Sequence, residues 1–395
     1  PIELELMDFA GWAVDVFAEA IEDYNALTPN VTITQTSLPG SAAVNDQLLV
    51  RIAGGNPPDI AWVIAAFAVS LANQGGLLAL DPYMEAAGWD TADPGYGRFY
   101  DFAAQSFVLD GKLYGVPGSV NPFAIGYNKE MFLDAGLPTP LELAEAGNWT
   151  WDTFLESAKA LTGGEGADRV FGYAARWRPW LLAMRVWQNG GDFWNEDKTA
   201  TRLHEPEAVE AIQWYFDLHL KHGVAPEMVS TASHGGLFQA GQVAMIDQGP
   251  AGRGAFMDLP FTFELAPQPT KVRSVSWAGG GSLVMPVGQE HPEEAFKFIE
   301  YFFSAPGIST MLRNGGPGTA VVDGMNTPDF LYSPPTNPEI WIESLPTAEP
   351  VPWIVRNTDF LNILTEQIDR VAIGDQTAAE AGAIMQPLLD DLVKP

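Results

Sequence analysis

Two periodicities alternate through the first 64 residues, and that alternation constrains the fold more than any other feature of the chain. Ile2, Leu4 and Leu6 recur every second residue, as in a strand with one buried face. Trp12 to Leu27 then carries Val16, Ala20, Tyr24 and Leu27 at helical spacing, until Thr28-Pro29 stops it. VTITQTSL (31–38) reads as a second strand, Ala42 to Ile52 as a second helix ended by Gly54-Gly55, and DIAWVI (59–64) as a third strand. This βαβαβ order predicts an α/β fold with a parallel sheet and helices on both faces. Ligands of such sheets bind beyond the carboxyl ends of the strands, which points to Phe9–Trp12, Leu38–Ser41 and Trp62–Phe67.

Further along, FVLDGKLYGVP (107–117) places Asp110-Gly111 between two β-rich arms, the signature of a hairpin with a type I′ turn. A strand at Pro122–Tyr127 follows. Thr150 can cap the helix WDTFLESAKAL, with Asp152 in its first turn. Pro179, Pro206 and Pro292 suit the first positions of three more helices, the second running to His222 and closed by Gly223. VAMID (243–247) and SLVMPV (282–287) supply later strands. Gly315 to Pro352 is loop-rich, and Phe360 to Val393 forms a last helical region.

With 395 residues, 47% of them apolar, the chain is too long for one ordinary core and suits two domains. Twenty basic against fifty acidic side chains give a formal charge of −30, which repels nucleic acid and anionic membrane. Cysteine is absent, which removes disulfides, thiolate zinc sites and cysteine nucleophiles together. The most apolar run, Ile60 to Ala72, falls short of the roughly 20 residues of a spanning helix and reads as a buried strand running into a helix. The chain starts PIELELMDF, without Met, basic region or apolar leader, so a mature or trimmed chain is expected.

No Walker-type phosphate loop and no G-x-S-x-G elbow occurs; GGEG (163–166) and GPAGRG (249–254) read as turns. His219 and His222 share a helix face, but they suit the dipole of a helix C-terminus better than a metal, and no third ligand is evident. No cofactor and no metal are expected. Fifty carboxylates leave a carbohydrate hydrolase as one reading.

Several segments in order carry a resemblance. They are GNPPDIAW (55–62), DGKLYGVPGSVNPFAIGYNKEMFLDAGLPTP (110–140), NWTWDTFLESAKALT (148–162), WQNGGDFW (187–194), LFQAGQVAMIDQGP (237–250) and GGGSLVMPVGQEHPEEAFKFIEYFFSAPG (279–307). Over nearly its whole length the chain resembles the extracellular solute-binding proteins of bacterial ABC importers, in the branch that includes maltose-binding protein. The resemblance implies two α/β lobes joined by hinge strands: residues 1–119 plus 281–322, and residues 123–277 plus 326–395, with crossings near 119–123, 277–282 and 322–326. It implies a small-molecule carbohydrate bound in the cleft by closure, delivery to a membrane permease, an extracytoplasmic location, a monomer and no enzymatic activity. The Gly-rich 279–281 stretch suits a hinge.

Sugars present apolar faces to aromatic rings and hydroxyl edges to polar groups. In RWRPWLLAMRVWQNGGDFW (176–194), Trp180, Met184 and Trp187 share one helix face, so Trp187 is core, and so is Trp194. Trp177 precedes the helix on a turn that supplies an aromatic platform in the family. It is the favoured platform, with Trp180 close behind, so Trp177→Ala is expected to weaken binding at least tenfold with little loss of stability. For Arg176 and Arg178, solvation and bonding to ligand hydroxyls stand level. Strand topology favours Trp12 and Ser41 for the cleft, whereas Trp62 suits core packing at least as well. Asn121, Asp247, Gln248 and Gly249 match cleft positions of the family. Where maltose-type members have Trp, this chain has Ala251; Trp277, before Gly279 and Gly280, is a replacement platform. Trp353 and Arg356 are placed to close the cleft, though lobe packing is preferred for Trp353. An anionic solute, such as a glycerophosphate-like or uronic ligand, is the alternative. It would call on Arg176, Arg178, Arg253, Arg313 and Arg356.

Overall fold

The computed structural model describes residues 1–175 and 177–394. The opening segment forms β1 (Ile2–Phe9), α1 (Trp12–Leu27), β2 (Val31–Leu38), α2 (Ser41–Ala53), β3 (Ile60–Ile64) and α3 (Ala65–Asn73). β1 pairs in parallel with β2 over its whole length, Ile2 opposite Val31 through Phe9 opposite Leu38, and with β3 at Leu6 and Met7. The alternation of Leu4 and Leu6 puts both side chains in the core, as the period of two requires. The apolar run from Ile60 divides at Ile64 into a strand and a helix.

The hairpin follows as β4 (Val108–Leu109) and β5 (Lys112–Leu113), then β6 (Val116–Pro117), β7 (Ser119–Val120) and β8 (Ala124–Asn128). Asp110 and Gly111 have φ of 49° and 73°, both positive as a type I′ turn demands. Next come α4 (Trp151–Ala160), β9 (Phe171–Ala174), α5 (Pro179–Gln188), α6 (Pro206–Leu220), β10 (Val243–Gln248), β11 (Phe263–Ala266), β12 (Ser276–Trp277) and β13 (Gly281–Val284). Thr150 caps α4 and Pro179, Pro206 and Pro292 sit in the first turns of their helices, as expected. The chain ends with α7 (Pro292–Phe302), α8 (Ala305–Arg313), β14 (Gly318–Thr319), β15 (Ala348–Glu349), α9 (Asn357–Ala372) and α10 (Ala378–Leu392). The single helical region expected from Phe360 is thus two helices, with Gly374 at φ 81° between them.

Two sheets organise these elements, in the orders β2-β1-β3-β13-β6 and β11-β8-β10-β9. The first is mixed rather than wholly parallel. β13 returns from distant sequence and pairs antiparallel with both β3 and β6. Each sheet has its own core. Trp62, Phe17 and Phe302 pack on the first, and Trp151, Trp177, Tyr173 and Trp187 on the second. In the second core, the Arg185 guanidinium meets Asp247 in a two-pronged ion pair, both bonds 2.8 Å, with side chains about 2% exposed. Burial by itself lowers the Arg185 pKa, but the Asp247 carboxylate outweighs it and holds the guanidinium above its ordinary value. Gln268 (2.9 Å) and Tyr173 also donate to Asp247, so the carboxylate is fully occupied.

Gly279 to Gly281 connect β12 of one region to β13 of the other. None of the three has a positive φ. Their role is close approach: a Cβ would lie 2.6 Å from the Trp277 ring at Gly279, 2.0 Å from the Ser119 carbonyl oxygen at Gly280 and 2.4 Å from the Trp62 indole nitrogen at Gly281. The glycines let this strand lie against the backbone at Ser119. Among the described residues, no helix is long and apolar enough to cross a membrane.

Candidate functional site

A cavity of about 210 Å³ lies where the carboxyl ends of β1 and β3 face α5 and the crossing segments. Phe9, Trp12, Trp62 and Ile64 reach it from the first sheet, and Ser41 from the start of α2. Ser119, Asn121 and Gly279 to Gly281 come from the segments around β7 and between β12 and β13. Trp180 and Trp277 form the opposite side, and Pro350, Val351 and Trp353 bound the mouth. The topology therefore puts the loops after the strands at the cavity, as open sheets of this kind do.

Each aromatic wall is a pair of tryptophans. Trp12 meets Trp62 edge to face, centroids 5.4 Å apart at 88°, and Trp62 is held from behind by Phe17 at 5.6 Å. Trp180 stacks on Trp277, 5.2 Å apart at 19°. Trp62 and Trp277 are buried, whereas Trp12 and Trp180 are only half-buried. The buried ring of each pair fixes its partner, and the half-buried ring offers its surface. Such rigid apolar faces suit the C–H face of a ring-shaped ligand.

The polar lining is sparse. Ser106 Oγ donates to the Phe102 carbonyl (2.9 Å), and Ser119 Oγ accepts the Gly281 N–H (3.1 Å). Asn121 Oδ1 accepts the Ala251 N–H (2.9 Å), so its Nδ2 donors are what it has left for a ligand. No charged side chain lines this cavity among the described residues. The Trp277 indole N–H is buried without a partner among them.

A second, wider cavity of about 590 Å³ adjoins the first and shares Ser106, Pro350, Val351 and Trp353 with it. Val69, Phe102, Val108 and Leu109 make one wall; the segment 350–355 and the end of α10 make the other.

Of the residues singled out in the sequence, Trp12, Ser41, Trp62, Asn121, Trp180, Trp277, Gly279, Gly280 and Trp353 are brought together here. Arg176 lies outside the described residues. Six others are placed elsewhere. Trp177 is a core residue: its ring is 1% exposed, its N–H donates to the Met228 carbonyl (3.1 Å) and its indole Nε1 to Asp369 (2.6 Å). The turn before α5 therefore aims it towards α9, away from the cavity. Arg178 donates to the Ser230 carbonyl and, with Asp247 and Gln248, borders a neighbouring pocket of about 200 Å³ that shares Trp180 with the aromatic cavity. Asp247 is consumed by Arg185, and the Gln248 side chain donates to the Gly249 carbonyl (2.6 Å). Gly249 touches Asn121 from behind, and a Cβ there would come 2.5 Å from Asn121 Oδ1. Arg356 is exposed and pairs with Asp359 at 2.9 Å.

Sequence reasoning missed Ser106, Pro317, Pro350 and Val351 as lining residues. Phe9 ends β1 and was reached by strand topology; the proline-rich segment before Trp353 gave no signal. Ala251 lines the cavity where a larger ring would fill it.

Facing α/β sheets with an aromatic cavity between them define a two-lobed binding protein. The model of the bacterial extracellular solute-binding proteins matches residues 10–308, and the chain belongs to that family. An arabinooligosaccharide-binding protein of Halalkalibacterium halodurans is 27% identical over 226 residues, 56% of this chain. That match spans 47%, about half, of the relative's own length. The fold also matches an ABC substrate-binding protein of Listeria monocytogenes in complex with cycloalternan. The TM-score is 0.88 at 23% identity, covering 99% of this chain and 98% of that one. A solute-binding protein of Thermotoga lettingae bound with α-D-tagatose gives a TM-score of 0.86 at 21% identity, with both chains fully covered.

Proposed function

We propose that this chain is the extracytoplasmic binding subunit of an ABC importer, and that it captures a sugar or oligosaccharide in the aromatic cavity and presents it to a membrane permease. The observation that carries this reading is the pairing of Trp12 on Trp62 and Trp180 on Trp277 around a cavity that no charged side chain lines among the described residues. Such a lining suits a neutral, ring-shaped, hydroxylated ligand. The names of relatives, which bind arabino-oligosaccharide, cycloalternan and tagatose, point the same way.

The lobes are taken as 1–119 plus 281–322 and 123–277 plus 326 onwards. Support comes from β13, which joins the first sheet, and from β8 to β11, which form the second. A ligand touching both walls stabilises the closed form by contacts the open form lacks, and no covalent step is involved. Hydrolysis needs a pair of carboxylates about 5–10 Å apart at the scissile bond. The cavity lining offers none among the described residues.

A thermal-shift panel of neutral mono- and oligosaccharides tests the proposal, since a ligand at 100 times its Kd stabilises by about 2.7 kcal/mol. At least one neutral sugar raises the melting temperature. A panel in which none does, or in which a bound sugar is turned over, refutes it.

A further inference from the structure

The wider cavity differs from the aromatic one in its charge. Its lining includes Lys198 and Lys394 and no carboxylate among the described residues, in a chain with fifty acidic and twenty basic side chains. Lys394 is paired with Asp391 at 3.0 Å. Lys198 has no ion pair among the described residues; its Nζ lies 3.4 Å from the Trp353 carbonyl oxygen, at the junction of the two cavities. Asp192 acts on Lys198 through space, but that carboxylate is held by the Trp187 indole N–H (3.2 Å) and the Phe193 N–H (2.7 Å).

The backbone that carries Lys198 is fixed. Its φ of 51° is left-handed, and Asn195 Oδ1 accepts the N–H groups of Thr199 (2.8 Å) and Ala200 (3.1 Å) to close the turn. The turn therefore fixes where the Lys198 side chain leaves the backbone, and its ammonium reaches the rim of the wider cavity. Three of the arginines that an anionic ligand would call on are committed elsewhere. Arg253 is buried against Tyr332 and Phe330, Arg313 pairs with Glu19, and Arg356 pairs with Asp359.

We propose that the natural ligand is an acidic oligosaccharide: a neutral unit between the tryptophan pairs, and a uronate-type carboxylate on a unit in the wider cavity, with Lys198 as its counter-ion. This rests on the sugar-binding reading above. A single ammonium suits one carboxylate, whereas a phosphate-bearing ligand calls for an arginine fork or several N–H donors. The overall charge of −30 repels any anion, so a local cation is what makes such a ligand acceptable.

The test is calorimetry with matched pairs of probes. Xylotriose is set against the glucuronic-acid-substituted xylo-oligosaccharide, and maltotriose and cellotriose against their counterparts oxidised to a terminal uronate. For the backbone that binds, the acidic member binds up to about fivefold more tightly, the scale of one exposed ion pair. Lys198→Gln, which keeps an N–H donor for Trp353, removes the preference and leaves the neutral member's affinity unchanged. Lys198→Glu reverses it. A neutral member that binds as well as its acidic partner overturns the inference and leaves the sugar-binding reading standing, and so does a preference that survives Lys198→Gln. Absence of binding by every member of every pair overturns both.

Discussion

Trp177 is the position where a site and a core reading differ most, and Trp177→Ala separates them. The ring is 1% exposed and packs in the second core. Truncating a buried aromatic to Ala costs about 3–5 kcal/mol. The indole N–H also donates to Asp369 at 2.6 Å, a bond to a charged acceptor worth about 1.5–3 kcal/mol when lost. Asp369 keeps the Ser230 N–H (2.8 Å) and hydroxyl (2.6 Å), so it is not left unpaired and the second cost falls at the low end. The two costs overlap, and a loss of about 4 kcal/mol is expected. At roughly 2 °C per kcal/mol for a large chain, the melting temperature drops by about 8 °C. Differential scanning calorimetry measures this, and calorimetric titration at a temperature where the variant is folded gives its affinity. Affinity within twofold of wild type is expected, opposite to the outcome read from the sequence. Tenfold weaker binding at an unchanged melting temperature would falsify the core assignment. Trp177→Phe, which keeps the bulk and loses the N–H, should fall between the two.

Trp180→Ala removes a half-buried platform stacked on Trp277, so it should weaken sugar binding about tenfold, with a small change in melting temperature. Asp247→Asn leaves the Arg185 charge buried without its carboxylate, and a loss of 3–5 kcal/mol is expected in denaturant titrations; a loss under 1 kcal/mol would show the pair to be dispensable. Asp8 is fully buried, and burial raises its pKa above the ordinary 3.8 despite the Gln35 bond. The native state therefore holds the proton more tightly than the unfolded chain, so stability falls as pH rises from 3.8 to the raised value, and above it Asp8 exerts its full cost. Asp8→Asn should thus gain stability relative to wild type at neutral pH, with the gain shrinking as pH falls towards 3.8; thermal melts across that range decide it. Gly280→Ala puts a Cβ 2.0 Å from the Ser119 carbonyl oxygen, so it should force the crossings apart and lower both melting temperature and affinity.

The local elements were legible because their causes are local. The period of two in β1, the Asp110-Gly111 turn, the Thr150 cap and the proline-initiated helices each depend on residues within a few positions of one another. Strand order then carried attention to Trp12 and Ser41. What tertiary structure decided was what covers each buried face. Periodicity assigns Trp180, Met184 and Trp187 to one stripe of α5, but that stripe runs from the cavity at Trp180 to the core at Trp187. Asp247 lies at the carboxyl end of a strand, as a ligand-binding residue would, yet Arg185 claims it from 62 positions away. The crossing glycines read as a hinge, and only the approach of Ser119, Trp62 and Trp277 showed why a side chain has no room there. A sequence records which side chains must leave water. Whether a protein core or a ligand receives them is set by contacts between residues far apart in the chain.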